Sequence, residues 1–122
     1  MQFQLNTDHN VRGSEDLAAR LQADTEAALD RFTARITRVE MHLGDLNAAK
    51  SGADKRCQIE VRIAGRTPVS VHHVAPAVRE AVDGALDKMS SALDHAFGKL
   101  DASKRGAPHH GLADGVAVDD AS

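Results

Sequence analysis

The sequence contains no tryptophan or tyrosine, and only three of its 122 residues are phenylalanine. Proteins that bind single-stranded RNA or DNA by stacking present several aromatic rings to successive bases. This composition therefore excludes a broad aromatic stacking platform. Any contact with RNA must depend on charge and shape.

Cysteine is equally scarce, because Cys57 is the only one. No internal disulfide can form, and no cysteine–histidine spacing indicates zinc. The sequence also lacks an eighteen-residue apolar stretch and an N-terminal basic segment followed by an apolar one. We therefore expect a reducing, cytoplasmic location and neither membrane insertion nor export.

Positive charge is not in excess: fifteen basic and eighteen acidic residues give a net charge of −3 with histidine neutral. Three of the acidic residues lie in 106–122, which has no lysine or arginine, so residues 1–105 carry no net charge. This balance excludes the strongly basic domain typical of many nucleic-acid-binding proteins. The ordinary apolar content, 42%, favours a single soluble globular domain.

The first third of the chain predicts a strand followed by a helix. Residues 2–6 alternate, with Phe3 and Leu5 on one face, as in a half-buried strand. Ser14 is a candidate N-cap for a helix over about 15–34. The apolar positions of this helix are Leu17, Leu21, Ala28 and Phe32.

Three further strands are predicted by alternating apolar and polar residues. They cover 39–43, 57–63 and a short segment from Val69 to Val71. The first two are separated by the small and polar residues 44–54, which favour a mobile hairpin loop, and a turn at 65–66 precedes the last.

The strongest helical pattern follows Pro76, which suits the first turn of a helix. Gly84 interrupts this pattern at a cost of about 1 kcal/mol relative to alanine but does not end it. From residue 106 onward no amphipathic period remains, and 106–122 is predicted to be a disordered C-terminal tail. The apolar positions of the second helix are Val78, Val82, Leu86, Met89, Leu93, Phe97 and Leu100.

The element order β-α-β-β-β-α predicts an α+β domain over 1–105, a two-layer sandwich with a four-stranded mixed sheet and two helices on one face. The first two strands pair in parallel through a right-handed crossover. The helices should cover the sheet face that carries Phe3, Met41, Ile59 and Val71. The other face is expected to be open and polar, with Gln4, Arg38, His42, Arg56, Arg62 and His72.

Neither a metal site nor a catalytic site is predicted. His72 and His73 are adjacent on a strand and point to opposite faces, so they cannot readily share one ion, and His109 and His110 fall in the tail. No pair of titratable groups, nucleophile motif or glycine-rich phosphate loop is recognisable. We therefore expect no cofactor, no metal, no small-molecule substrate and no enzymatic activity.

The charges of the second helix form two strips along its polar side. One is basic, with Lys88, His95 and Lys99. The other, here called the acidic strip, contains Glu80, Asp83, Asp87, Asp94 and Asp101. A solvated surface of mixed charge, without binding function, explains this pattern equally well.

The order of elements and the second-helix motif resemble the ribosome hibernation-promoting factors, also called ribosome-associated inhibitor or ribosomal subunit interface proteins. The motif is Ala81-Val82-Asp83, then Leu86-Asp87-Lys88-Met89, and a later Leu93. The resemblance covers about residues 1–105 and matches the short members of the family. Two features differ: Ala77-Val78-Arg79 stands where members carry Asp-x-Tyr, and the segment after Met89 has fewer basic residues.

The resemblance implies a regulator of translation that binds ribosomal RNA of the small ribosomal subunit under stress and occludes the sites of messenger and transfer RNA. The residues expected to contact RNA are the basic side chains of the two helices and of the segment that follows. They are Arg20, Arg31, Arg35, Arg79, Lys88, Lys99, Lys104 and Arg105.

The alternative is a divergent domain of the same fold that acts as a protein–protein interaction module. Its partner would be a protein with a basic surface, bound through the acidic strip. A small enzyme is a third hypothesis, and it lacks an assembled site.

Overall fold

A computed structural model describes residues 1–8, 13–46 and 55–104, the last six of these by their backbone alone. Its elements follow the predicted order. They are strand β1 (Gln2–Thr7), helix α1 (Glu15–Ala28), a 3₁₀ helix (Asp30–Arg35), strands β2 (Ile36–Asp45), β3 (Lys55–Ile63) and β4 (Val69–Ala75), and helix α2 (Val78–Lys104).

The four strands form one mixed sheet in the order β1-β2-β3-β4. Strand β1 runs parallel to β2, with Phe3 opposite Val39, whereas β2–β3 and β3–β4 are antiparallel. A crossover through α1 is what allows two successive strands to lie parallel. The predicted α+β class and topology are confirmed.

The two faces of the sheet differ as the alternation predicts. Val39, Met41, Ile59 and Val61 are completely buried beneath the helices. Arg38, His42, Arg62 and their neighbours point to the opposite, open face. The hydrophobic effect thus selects the register, because a slip of one residue would exchange the two faces.

Helix α2 covers β3 and β4 with the predicted apolar stripe. Val82, Met89 and Leu93 are completely buried, and Leu86 and Phe97 are almost so. The helix begins later than expected, at Val78, because the amide of Ala81 donates to the carbonyl of Ala77, 2.9 Å away. The predicted place of Pro76 in the first turn is therefore wrong, and it precedes the helix.

Gly84 lies where α2 crosses β4, directly above His73. A Cβ built on Gly84 would come within 2.1 Å of Cδ2 of the His73 ring. The sequence shows only that glycine has a lower helix propensity. The structure shows that the absence of a side chain at Gly84 leaves room for the His73 ring. His72, on the other face, is exposed, so the two histidines do point in opposite directions.

The prediction of one continuous helix over 15–34 is wrong, because α1 ends at Ala28. The amide of Leu29 closes the last α-helical turn on Thr25 O, and the amide of Phe32 then bonds only three residues back, to Leu29 O. This tighter 3₁₀ turn lets Leu29 and Phe32 both enter the core. Ala28, expected in the apolar stripe, is exposed instead.

Strand β2 continues through Gly44 and Asp45, which were expected to belong to the hairpin loop. Leu43, Gly44 and Asp45 pair with Cys57, Arg56 and Lys55 of β3, so the hydrogen-bonded ladder extends further than the apolar alternation. The remainder of the predicted loop, 47–54, the predicted tail 106–122 and its two histidines lie outside the described residues.

Candidate RNA interface

Half of the chain's ten arginines lie at one end of the domain. The antiparallel register brings the beginning of β2 next to the end of β3, with Arg38 opposite Arg62. The amide of Ala64 bonds the carbonyl of Arg35, 3.2 Å away, which holds the 3₁₀ helix beside the turn before β4. We call this region the arginine end; its members are Arg31, Arg35, Arg38, Arg62 and Arg66.

Arg31 joins the 3₁₀ helix to α2. Its two terminal nitrogens donate to both carboxylate oxygens of Asp94, one of them over 2.9 Å, and Nη2 also donates to the Ser90 hydroxyl over 3.2 Å. The hydrogen bonds between Arg31 and Asp94 raise the pKa of Arg31 and lower that of Asp94. The charge of Arg31 is therefore balanced by a carboxylate, although about half of each side chain is exposed.

Arg35 and Arg66 have different surroundings. The guanidinium carbon of Arg35 lies 4.7 Å from the ring centre of Phe97. Arg66 Nη1 donates to the carbonyl oxygen of Ala96 over 3.1 Å. Both side chains are thus anchored to α2 and belong to exposed residues. Neither of these anchoring contacts uses a carboxylate.

Arg38 and Arg62 lie on the open face of the sheet, and each is paired with a glutamate of its own strand. Arg38 Nε donates to Glu40 over 2.9 Å, and its terminal nitrogens bond the side-chain oxygens of Gln2 and Gln4. The hydrogen bond from Arg38 is the main cause of the lowered pKa of Glu40. Arg62 lies 3.9 Å from Glu60, a looser ion pair.

Three other residues predicted to contact RNA lie elsewhere. Arg20 is exposed on α1. Arg79 donates to Asp24 of α1 over 2.8 Å and to Asp83 over 3.3 Å, which raises its pKa, with the Asp24 bond as the main cause. Lys88 Nζ donates to the backbone carbonyl of His72 over 3.0 Å, so it covers the edge of the sheet at β4.

The remaining predicted contacts are at the C-terminal end of α2. Lys99 and Lys104 belong to its last two turns, but their side chains lie outside the described residues, as does the whole of Arg105. Of the eight predicted residues, the structure therefore brings Arg31 and Arg35 together, and it places Arg20, Arg79 and Lys88 apart from them.

Sequence reasoning missed Arg38, Arg62 and Arg66 as members of one cluster. Arg38 and Arg62 had been placed correctly on the open face, and Arg66 in the turn. The signal that could have joined them is the hairpin itself: when β2 and β3 pair antiparallel, the start of one must meet the end of the other.

The acidic strip of α2 is partly neutralised. Asp83 and Asp94 are both engaged by arginines. Glu80 and Asp87 are exposed, and the side chain of Asp101 is outside the described residues. The strip is therefore less negative than its sequence suggests.

A depression of about 320 Å³ lies on the open face at the end opposite the arginines, next to the β2–β3 hairpin. Asn6, His42, Arg56 and Gln58 line it, and Leu46 stands exposed at its rim. These groups can form hydrogen bonds with a polar ligand.

No group of three metal-ligating side chains assembles within the described parts of the chain. Burial raises the pKa of the Cys57 thiol to about 12, which makes it a poor nucleophile. Among the described helices, none combines the length and apolar character needed to cross a membrane.

Comparison with known proteins identifies the relatives of this fold. The family model described as Sigma 54 modulation protein / S30EA ribosomal protein matches residues 6–101. The N-terminal domain of Protein Y from Thermus thermophilus is similar in structure, with a TM-score of 0.59, 21% identity, and coverage of 75% of this chain and 93% of that one. A ribosomal subunit interface protein from Coxiella burnetii has a TM-score of 0.63 and 18% identity, and the match covers 80% and 99% of the two chains. A comparison with curated protein sequences finds no match.

Proposed function

The chain belongs to the Sigma 54 modulation protein / S30EA ribosomal protein family, a family of ribosome-associated proteins and not of enzymes, and we propose that it regulates translation by binding the small ribosomal subunit. The bound domain occludes the sites of messenger and transfer RNA under stress. It acts in the cytoplasm and contacts ribosomal RNA directly.

The observation that carries this proposal is the family match, which spans almost the whole described domain. A structural neighbour whose name is ribosomal subunit interface protein has the same fold over 80% of this chain. A domain of this kind can block a site on a ribosomal subunit by steric occlusion, which needs no catalytic group.

The arginine end supplies the RNA contacts in this proposal. Arg35 and Arg66 are exposed, with Arg35 against the Phe97 ring and Arg66 bonded to the Ala96 carbonyl, and a guanidinium in either position can reach a phosphate. Arg31, Arg38 and Arg62 are joined to carboxylates and contribute less unless binding opens these pairs. The lysines of the last turns of α2 extend the same end of the domain.

Sedimentation with purified ribosomal particles tests the function. The full chain is centrifuged through a sucrose cushion with small subunits, large subunits or complete ribosomes, and we expect it in the pellet with small subunits and complete ribosomes. Prior occupation of the small subunit by messenger and transfer RNA should reduce the bound fraction. Pelleting with large subunits alone, or indifference to both RNAs, would contradict the proposal.

A matched pair of double variants tests the surface. Arg35→Ala with Arg66→Ala and Arg20→Ala with Arg79→Ala remove the same charge, the first at the arginine end and the second away from it. We expect the first pair to lose most of the binding and the second to retain it. The opposite order would place the contacts on the helical surface instead. Thermal melts should accompany both, because Arg79 joins α1 to α2.

A further inference from the structure

The arginine end contains a groove between the 3₁₀ helix and the C-terminal half of α2. Its volume is about 300 Å³. Its walls combine two arginines, two phenylalanines and one carboxylate. We call it the Phe–Arg groove; it is lined by Arg31, Phe32, Arg35, Asp94, Phe97 and Gly98.

The two phenylalanines form the base of the groove. Their ring centres are 5.5 Å apart and their planes are tilted by 35°. Both are only 6% exposed. The rings therefore present almost no surface to a ligand, in agreement with the expectation that this chain has no broad aromatic platform.

Guanidinium groups cover the rings and form the surface of the groove. Arg31 lies 4.5 Å from the ring centre of Phe32, and Arg35 lies 4.7 Å from that of Phe97. A guanidinium is planar and delocalised, and nucleobases stack on it as they do on an aromatic ring. Two covered rings thus support two planar cationic surfaces.

Both surfaces are fixed before any ligand arrives. Arg31 is held by both oxygens of Asp94 and by the Ser90 hydroxyl, and Arg35 is held against Phe97. Because their rotamers are already restricted, binding loses less side-chain entropy than it would with a mobile arginine. Gly98 leaves the adjacent space open, since a Cβ there would meet nothing within 4 Å.

The charges of the groove favour a planar ligand over a bare anion. Asp94 neutralises Arg31 and would repel a phosphate placed between the two helices. A base can stack on Arg35 while its own phosphate stays outside the groove, near the rim.

We propose that the Phe–Arg groove binds one unpaired RNA base, stacked on the guanidinium of Arg35. This inference rests on the proposed function and specifies its RNA partner: a single-stranded or bulged nucleotide rather than duplex backbone. Bases inside a duplex are stacked on one another and cannot enter the groove.

Fluorescence of 2-aminopurine, placed at the centre of a short single-stranded RNA, tests stacking directly. Binding of the full chain should change this fluorescence, because the base leaves its RNA neighbours, and the same RNA annealed to its complement should bind at least about tenfold more weakly, as expected when a stacked base is lost. Competition adds a second readout. A nucleoside monophosphate should displace the RNA, and ribose 5-phosphate should not. Equal affinity for single-stranded and duplex RNA, or equal competition, would overturn the inference.

A pair of identical substitutions separates stacking from charge. Arg35→Lys keeps the positive charge and loses the plane, whereas Arg20→Lys makes the same change at an exposed residue of α1 that lies apart from the groove. We expect about a tenfold loss of affinity and loss of the fluorescence change for R35K, and less than about a twofold change in affinity for R20K. If R35K binds as tightly as the wild type, only charge matters and the inference is overturned.

Ribosome sedimentation of the same proteins distinguishes the two proposals. If the wild type pellets with small subunits and R35K pellets equally well, the stacked base is wrong and the ribosomal function stands. If single-stranded RNA is bound in an Arg35-dependent manner but no ribosomal particle is bound, the groove is right and the proposed function fails.

Discussion

At the scale of single residues, the close approach of Gly84 to the His73 ring shows most clearly how a neighbouring side chain limits which residue a position can hold. A Cβ at Gly84 would lie 2.1 to 2.6 Å from three atoms of the His73 ring. Because the nearest of these distances is far below van der Waals contact, the ring must leave its position or the helix must lift. The glycine therefore allows α2 to lie directly on β4.

Gly84→Ala should destabilise the domain by about 1–3 kcal/mol, the usual cost of overpacking. This loss occurs although alanine is the better helix former by about 1 kcal/mol. Urea denaturation measures it. Removing the ring as well, with His73→Ala, should recover most of the loss.

Gly98→Ala is the matched control, because it makes the same change in the same helix where nothing lies within 4 Å. This variant should gain up to about 1 kcal/mol. If both glycine variants are stabilised, His73 does not occupy the space that the structure gives it.

At the scale of elements, two arginines connect α1 and the 3₁₀ helix to α2. Arg79 reaches Asp24, and Arg31 reaches Asp94. Each pair is largely solvated, so it adds little to stability and serves mainly to orient the helices. The same pairs remove positive charge from the surface that was expected to contact RNA.

Asp94→Asn should strengthen ribosome binding, because it removes a negative charge and releases Arg31 toward RNA. Asp87→Asn makes the same change at an exposed residue for which the described part of the chain shows no ion pair. Sedimentation should show a larger gain for D94N than for D87N. Equal gains would mean that only net charge matters. If the acidic strip instead binds a basic protein, both variants should weaken that association.

The effect of D94N on thermal stability should depend on pH in a defined direction. The hydrogen bond from Arg31 lowers the pKa of Asp94. The ion pair is therefore complete above the ordinary aspartate value of about 3.9 and is lost as the pH falls below it. Wild type and D94N should differ in thermal stability at neutral pH and converge in acid, whatever the size of the difference.

The elements themselves were largely predictable, whereas the contacts between distant elements were not. Alternation identified the buried face of the sheet, and a 3.6-residue period identified the core of α2. The break after Ala28 escaped detection because the apolar period continues through it in register with Phe32. The pairing of Arg31 with Asp94, 63 positions away in the sequence, follows only from how the helices pack.

The candidate site shows the same limit. Composition predicted no broad aromatic platform, and the structure adds that Phe32 and Phe97 are buried. Composition could not reveal that an arginine packs over each ring, because that contact depends on how the 3₁₀ helix packs against the end of α2. Of the residues expected at the interface, Arg31 and Arg35 are clustered, and whether they contact RNA stays a prediction.

At the scale of the whole molecule, charge is distributed unevenly along a domain of nearly balanced composition. Arginines gather at one end, where Arg31, Arg38 and Arg62 are each paired with a carboxylate. At the other end, Asp45 pairs with Lys55 over 2.8 Å. Such a domain approaches RNA with few uncompensated cations, and the number of phosphates that it can neutralise is correspondingly small.

Salt dependence measures that number. Arg35, Arg66 and one or two lysines of the last turns of α2 would neutralise about three or four phosphates, so the logarithm of affinity should fall with the logarithm of salt concentration with a slope of about −2 to −4. Sedimentation between 50 and 200 mM potassium chloride should then show a loss of about 16- to 250-fold. A slope near −6 would show that binding opens the three arginine–carboxylate pairs, and a slope near zero would exclude phosphate contacts. If Asp94 keeps Arg31 from contacting a phosphate, D94N should add one phosphate contact and steepen the slope by about one unit. D87N should raise the affinity without changing the slope.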